Sequence, residues 1–175
     1  MKRFNSTAAL TALTMITASL IARADEQLYT LQPSITPELA VAGQYTVGVQ
    51  TLKVTHEKQL NTQTFTSQKD RPLTLEVWYP ADAQAANTPT ATYENVTRLH
   101  KPFSLVGKAH RDASPQASGQ FPLVVLSHGY TGYRTIMFYL GEHLASHGYV
   151  VVGIDHTDST TGDVDFVNSG FSGFP

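Results

Sequence analysis

The stretch that decides the fold is PLVVLSHGYTGYR, residues 122–134. Residues 123–126 are four consecutive apolar residues, a pattern typical of a fully buried strand. The strand runs directly into a short polar turn made of Ser127, His128 and Gly129, with a second glycine at Gly132. Because ligands of open α/β sheets bind where parallel strands end, this junction is the first candidate site in the chain.

The residues that follow predict a strand–helix–strand unit. Residues 134–148 predict a helix that ends at Gly148, where a left-handed cap belongs; its apolar residues at helical spacing are Ile136, Leu140 and Leu144, with Met137 beside them. Residues 149–155, YVVVGID, form a second continuous apolar run. Two buried strands joined by a helix indicate a right-handed crossover in a parallel sheet.

The residues before this unit predict an antiparallel hairpin. Apolar and polar residues alternate in residues 44–56 and again in residues 71–80, with a bulge expected near Gly48. Residues 81–120 are a long connection rich in Ala, Pro, Gln and Ser, in which we expect a short helix or an excursion over a binding face. A hairpin followed by a parallel unit makes the fold class α/β with a mixed sheet.

The N-terminal residues 1–24 have the three parts of a secretory signal peptide. Lys2 and Arg3 precede a short apolar stretch, and Ala22-Arg23-Ala24 is a cleavage site of the A-x-A type. A membrane anchor is the alternative, but the stretch is short and rich in Thr and Ser. We therefore expect an exported product, periplasmic or secreted, in which residues 25–175 form the domain and begin with an irregular lead-in.

The composition narrows the range of partners. The chain has no cysteine, so it forms no disulfide and carries no lipid on a cysteine. Its net charge of -2, from 12 Lys and Arg and 14 Asp and Glu, argues against nucleic acid as a partner. Without a polybasic patch we expect no stable membrane anchor. The oligomeric state is not determined by these features.

The turn after residues 123–126 suggests acyl-transfer chemistry. If Gly129 takes backbone angles that other residues avoid, the turn can aim the N–H of Tyr130 away from the sheet as an oxyanion donor. Ser127 and His128 are a poor nucleophile–base pair, because neighbours on a strand point to opposite faces. We expect His128 to brace the loop through its ring nitrogens rather than to act as a base.

Three segments together resemble a known family: RPLTLEVWYP at residues 71–80, and the stretches at residues 107–135 and 140–160. They are similar to the N-terminal part of the α/β-hydrolase superfamily, in the branch of the plasma-type platelet-activating-factor acetylhydrolases and dienelactone-hydrolase-like proteins. The resemblance runs from about residue 44 to the end of the chain. It implies a serine hydrolase that cleaves carboxylic esters, such as short acyl esters of a phospholipid or another small ester.

The resemblance also implies roles for residues. Tyr130 would donate one oxyanion-hole N–H, and Tyr133 would lie near the acyl pocket. Family members carry their nucleophilic serine in G-H-S-x-G after a further strand, followed by Asp and His. This sequence reaches Pro175 without them, since residues 170–174, GFSGF, lack the closing glycine. We expect the catalytic triad outside these 175 residues, no cofactor, and no activity from this chain alone.

The alternative from another functional class is a non-catalytic, truncated relative that binds a small ligand or has no function. In such a product the strand at residues 149–155 would lack its next neighbours and leave a flat apolar edge. A dienelactone-type enzyme with a cysteine nucleophile is a second hydrolase reading, and it also needs residues absent from this sequence.

The remaining polar groups are weaker candidates. Asp155, His156 and Asp158 form a strand-end cluster that we interpret as mainly structural, with His156 kept as a candidate substrate contact. His143 and His147 have the i, i+4 spacing of zinc ligands, but Glu142 precedes both and no third ligand is evident, so a solvated helix face is favoured and no metal is predicted. We interpret residues 158–165 as a polar loop rather than a calcium loop. We expect the glycosylation sequon at residues 95–97 to be unused.

Overall fold

Six strands form one mixed sheet in the computed structural model, which describes residues 41–61, 64–157 and 159–164. The elements are β1 (Thr46–Leu60), β2 (Gln68–Ala81), β3 (Thr90–Val96), β4 (Pro102–Arg111), β5 (Leu123–Ser127), α1 (Phe138–Ser146) and β6 (Val150–Asp155). The strand order is β3-β4-β1-β2-β6-β5. The predicted signal peptide, residues 1–24, and the GFSGF segment, residues 170–174, lie outside the described residues.

The predicted hairpin of β1 and β2 is confirmed, but the bulge expected near Gly48 is wrong. The two strands pair antiparallel in continuous register from Thr46 opposite Ala81 to His56 opposite Arg71, and the register shifts only beyond His56. Gly48 has a different role, because a Cβ atom there would lie 2.4 Å from the ring of Tyr79. The glycine admits a neighbouring aromatic ring and does not interrupt the ladder.

The predicted parallel unit is also confirmed. β5 pairs parallel with β6, and β6 pairs antiparallel with β2, which makes the sheet mixed. α1 begins at Phe138, later than the helix predicted from residue 134, and packs on β2 and β6. Gly148 has the expected left-handed φ of 93° and caps the helix, while the N–H of Tyr149 donates to the carbonyl of Leu144.

The connection at residues 81–120 contains a second hairpin that the sequence did not predict. A short 3₁₀ helix (Ala83–Asn87) leads into β3, which pairs antiparallel with β4. The inward side chains of β3 are Ala91 and Tyr93, whereas the buried positions of β4 include Gly107 and Ala109. Such small residues give little hydrophobic signal, so the alternation of β4 could not be recognised.

The expectation that residues 123–126 form a fully buried strand is wrong. Leu123 and Val125 are 62% and 54% exposed, while Val124 and Leu126 pack against the core. Within the described residues β3 and β5 are the two outer strands, and β5 packs against the core with one face. At this end of the sheet the open edge therefore belongs to β5 and not to the strand at residues 149–155, which pairs on both sides as β6.

A buried polar network ties α1 to the sheet. The Tyr93 hydroxyl donates to Glu142 Oε1 at 2.7 Å and accepts from Trp78 Nε1 at 2.8 Å. The same carboxylate accepts backbone N–H groups of Lys108 and Ala109 at 2.9–3.0 Å. Burial, followed by the charge of Glu142, raises the pKa of Tyr93. The network satisfies a carboxylate that would otherwise be costly to bury.

Candidate functional site

The carboxyl ends of β5 and β6 bring the predicted polar residues together. Ser127 Oγ lies 2.8 Å from His156 Nε2. The rings of His128 and His156 are 4.9 Å apart, centroid to centroid. Parallel pairing places both strand ends at one edge of the sheet, which is why residues about 30 positions apart in sequence meet here.

His128 contacts the loop backbone through both ring nitrogens. Its Nε2 accepts the backbone N–H of His156 at 3.3 Å, and its Nδ1 lies 2.7 Å from the carbonyl oxygen of Gly129. Since Nε2 accepts, this arrangement requires the proton on Nδ1, which then donates to Gly129. The imidazole also lies against Gly132, where a Cβ would come within 2.7–2.9 Å of His128 atoms. The second glycine of the motif makes room for this ring.

The environment of His156 favours its neutral form. Burial lowers the pKa of His156 from its ordinary value, and the neighbouring His128 and Arg71 lower it further, against an opposing contribution from Asp155. At neutral pH the uncharged ring can accept the Ser127 hydroxyl hydrogen at Nε2. The Ser127–His156 contact links the ends of two neighbouring strands.

The loop at residues 129–134 has its left-handed residue at an unexpected position. Among the described glycines, Gly119 and Gly148 have positive φ, so Gly129 does not turn the chain through a positive φ that other residues avoid. Thr131 instead has a φ of 62°, which a β-branched residue rarely adopts. The chain therefore turns two residues later than predicted, at a residue that needs support from its surroundings.

A second loop supplies that support. The Thr131 N–H donates to the carbonyl of Ser159 at 2.9 Å, and the Thr161 N–H donates to the carbonyl of Gly132 at 3.0 Å. The Thr161 hydroxyl donates to the carbonyl of Thr131. The segment after β6 thus runs beside the loop after β5 and holds its middle.

Tyr130 and Tyr133 occupy different surroundings. The Tyr130 side chain is about half exposed. Tyr133 packs edge to face on Phe103, with ring centroids 6.1 Å apart. It also lines a cavity of about 370 Å³ together with Glu94, Arg134 and Asp155. The cavity lies between the β3–β4 hairpin and the strand ends, so the unpredicted hairpin provides one of its walls.

Arg134 fixes the end of the loop through an ionic network that the sequence did not reveal. Its backbone N–H and guanidinium donate to the two oxygens of Asp155 at 2.6 and 2.7 Å. Its Nε donates to Glu76 at 3.0 Å, and Glu76, which is 1% exposed, also pairs with Arg111 and accepts from Thr51. Burial acts to lower the pKa of Arg134, but the two carboxylates outweigh it and raise that pKa. The sequence signal for this network was a carboxylate, Glu76, within the largely apolar strand at residues 71–80.

The weaker candidates from the sequence make other contacts in the structure. The described residues hold no group of three or more His, Asp or Glu side chains that could bind a metal ion. The rings of His143 and His147 pack on each other at 4.6 Å, while Glu142 points into the buried network. Asn95 of the sequon hydrogen bonds Thr135 at 3.0 Å. Asp158 and residue 165 lie outside the described residues, which leaves that part of the acidic cluster and of the polar loop untested.

The architecture is that of an α/β-hydrolase: an antiparallel hairpin, a parallel strand–helix–strand unit, and a supported loop at the carboxyl end of the first parallel strand. Comparison with known proteins agrees. The family model described as "Platelet-activating factor acetylhydrolase, isoform II" matches residues 32–169. The chain belongs to this family.

Curated relatives and a solved structure point to the same class. The chain is 46% identical over 48 residues to the platelet-activating factor acetylhydrolase of Canis lupus familiaris, covering 27% of this chain and 11% of that protein. It is 37% identical over 79 residues to cutinase 1 of Thermobifida cellulosilytica, covering 43% and 29%. A ferulic acid esterase from Streptomyces cinnamoneus is similar with a TM-score of 0.54 and 28% identity, over 68% of this chain and 36% of that one.

These matches cover less than a third of the curated relatives' own length. Each of the three relatives is named as an esterase, an acetylhydrolase or a cutinase. Among the described residues of this chain, no helix has the length and apolarity needed to cross a bilayer.

Proposed function

We propose that this chain is the N-terminal portion of an exported carboxylic-ester hydrolase that acts on small or lipid esters with short acyl groups. The observation that carries the proposal is the loop at residues 129–134, which lies at the carboxyl end of β5 and is held by hydrogen bonds from β6 and the segment after it. Its membership in an acetylhydrolase family supports ester hydrolysis as the reaction.

In this proposal the Tyr130 N–H donates to the oxygen of the scissile carbonyl. That oxygen becomes negative when the carbonyl carbon is attacked, and one preorganised donor lowers the barrier by about 3 to 4 kcal/mol. A rigid loop is an advantage, because a donor that is already in place needs no reorganisation during the reaction. The contacts of His128 with Gly129 and Gly132 support its proposed role as a brace.

Tyr133 and His156 are the proposed substrate contacts. Tyr133 lines the 370 Å³ cavity, which suits a small organic group of the ester. His156 lies at the end of β6 beside the loop, where a neutral imidazole could contact a bound ester. No cofactor takes part in this chemistry.

The nucleophilic serine, its histidine and its aspartate are proposed to come from sequence that is not among these 175 residues. The serine oxygen would attack the acyl carbon while histidine takes its proton, and histidine would return that proton to the departing alcohol. Water would then release the acid by the same steps in reverse. The absence of G-x-S-x-G from the sequence and the partial coverage of the relatives support this assignment. The signal-peptide pattern at residues 1–24 supports export.

The test compares two products of the same gene. The 175-residue chain is assayed with p-nitrophenyl acetate and labelled with a fluorophosphonate, with Ser172→Ala as its control. We expect neither turnover nor labelling above that control. Turnover that disappears in Ser172→Ala would place the nucleophile inside the chain and overturn the proposal.

The second product is the chain extended by the coding sequence that follows Pro175. We expect a G-H-S-x-G motif there, and turnover of p-nitrophenyl acetate that is lost when its serine is replaced by alanine. A continuation without such a motif, or without turnover, contradicts the proposal and favours the non-catalytic ligand-binding alternative. N-terminal sequencing of the exported product tests cleavage after Ala24.

A further inference from the structure

Thr131 is a buried residue with a strained backbone. Its φ of 62° lies in the left-handed region, where the branched Cβ of threonine crowds the backbone. The residue is buried and sits one position after Tyr130. A conformation of this kind persists only where surrounding contacts determine it, and such residues concentrate at functional sites.

The contacts that determine it come from a different part of the chain. Both backbone polar groups of Thr131 are bonded to the segment at residues 159–161: its N–H donates to the carbonyl of Ser159, and its carbonyl accepts the hydroxyl of Thr161. The Thr161 hydroxyl is also 3.4 Å from the carbonyl of Gly132, and its side chain is buried. Thr161 therefore places one buried donor between two carbonyls of the loop.

We infer that Thr161 is a positioning residue for the loop at residues 129–132. Its hydroxyl holds the carbonyl of Thr131, and thereby the peptide plane between Thr131 and Gly132, in the orientation that the strained backbone of Thr131 requires. The Gly132 N–H, which donates to the carbonyl of Gly129 at 2.9 Å, closes the turn on the other side. The inference rests on the proposed function where it links this geometry to the Tyr130 N–H as oxyanion donor.

The link also joins two loops that follow neighbouring strands. The loop after β5 carries the proposed donor, and the segment after β6 carries Thr161. Without the hydroxyl, part of the free energy that offsets the strain at Thr131 is lost, although the backbone bonds to Ser159 and Thr161 remain, so the turn is expected to open more often. Removing the strain itself should remove the need for Thr161.

The experiment measures amide hydrogen exchange in the 175-residue chain. In Thr161→Val, the amides of Thr131 and Gly132 are expected to exchange about tenfold faster, as expected for the loss of one buried hydrogen bond. Thr161→Ser keeps the donor and should behave as the parent. Thr135→Val is the matched control, since Thr135 is another buried threonine whose hydroxyl bonds a side chain, Asn95, and not the loop.

A double variant separates positioning from general stability. In Thr131→Gly/Thr161→Val, glycine accepts the left-handed φ without strain, so slow exchange at residue 132 should return. If Thr161→Val fails to fold, the same double variant decides: recovery of the fold supports the inference. The inference is overturned if Thr161→Val exchanges like the parent, if Thr135→Val produces the same loop change, or if the double variant is not rescued.

A kinetic measurement connects the inference to the proposed function. In the extended product, Thr161→Val should lower kcat for p-nitrophenyl acetate about tenfold with little change in KM, because only the transition state carries the full oxyanion. Absence of turnover in every variant would count against the proposed function and leave the exchange result standing. Parent-like kcat in Thr161→Val, with turnover present, would count against the positioning role.

Discussion

Two buried glutamates, Glu142 on α1 and Glu76 on β2, have their carboxylates stabilised in different ways. Glu142 is stabilised by uncharged hydrogen-bond donors: a tyrosine hydroxyl and two backbone N–H groups. Glu76 is paired with two arginines and a threonine hydroxyl. The first arrangement ends within the core, whereas the second continues through Arg134 to Asp155 and the loop at the strand ends. The comparison separates a carboxylate that holds the fold from one that also reaches the candidate site.

The largest effect is expected from Glu142→Ala. The change removes the acceptor of the Tyr93 hydroxyl and of the backbone N–H groups of Lys108 and Ala109, and we expect a loss of about 3 kcal/mol in the free energy of unfolding. Urea denaturation followed by circular dichroism measures it. Tyr139→Ala, on the exposed side of the same helix, is the control and should cost less than about 1 kcal/mol. Equal losses of stability in the two variants would contradict the role of Glu142 in holding α1 to the sheet.

Glu76→Gln is expected to cost less stability than Glu142→Ala but to affect the loop at residues 129–134 as well. The side chains of Arg111 and Arg134 are 34% and 27% exposed, so water compensates part of the lost pairing, and we expect a cost of about 2 kcal/mol. In addition, amide exchange at residues 129–134 should accelerate beyond the change in global stability. Glu142→Ala should not produce that extra acceleration. The comparison between the two glutamates fails if both variants affect the loop equally.

The smallest effect is expected on the stability of the fold at acidic pH. Burial and the neighbouring His128 and Arg71 lower the pKa of His156 below 6.5. As the pH falls from 6.5 toward the folded pKa, the unfolded chain therefore binds a proton at this residue that the folded chain does not bind. The contribution of His156 therefore destabilises the fold increasingly across that window, stays in full below it, and is absent well above pH 6.5. NMR titration of the ring should give a midpoint below 6.5. Asp155→Asn should lower it further, since Asp155 raises it, and a midpoint at or above 6.5 in the parent contradicts the assignment.

The sequence predicted those parts of the fold that depend on local pattern. The alternation around Trp78, the apolar run that ends at Leu126, and Gly148 after a helical segment all led to the observed elements. The meeting of His128 and His156 followed from the rule that parallel strands end at one edge. The β3–β4 hairpin was missed because Gly107 and Ala109 are small, and their burial depends on side chains from other elements.

The details of the site depend on contacts between distant residues. Local preference places a left-handed residue at Gly129, yet the structure has it at Thr131, because Ser159 and Thr161 hold that residue from about 30 positions away. No local pattern encodes such support. The ionic chain from Glu76 to Asp155 likewise spans three elements. The roles of Tyr130, Tyr133, His128 and His156 remain predictions that the variants above and the extended product can test.

The position of Trp78 gives the Glu142 half of this comparison its own spectroscopic signal. Trp78 is the single tryptophan of the chain, is fully buried, and donates its indole N–H to Tyr93 inside the Glu142 network. Its fluorescence therefore reports the docking of α1 on the sheet, since the indole also lies against Gly141 of that helix. A tryptophan emission that stays unchanged while the residues after β5 loosen would mark local opening, without any label having to be introduced.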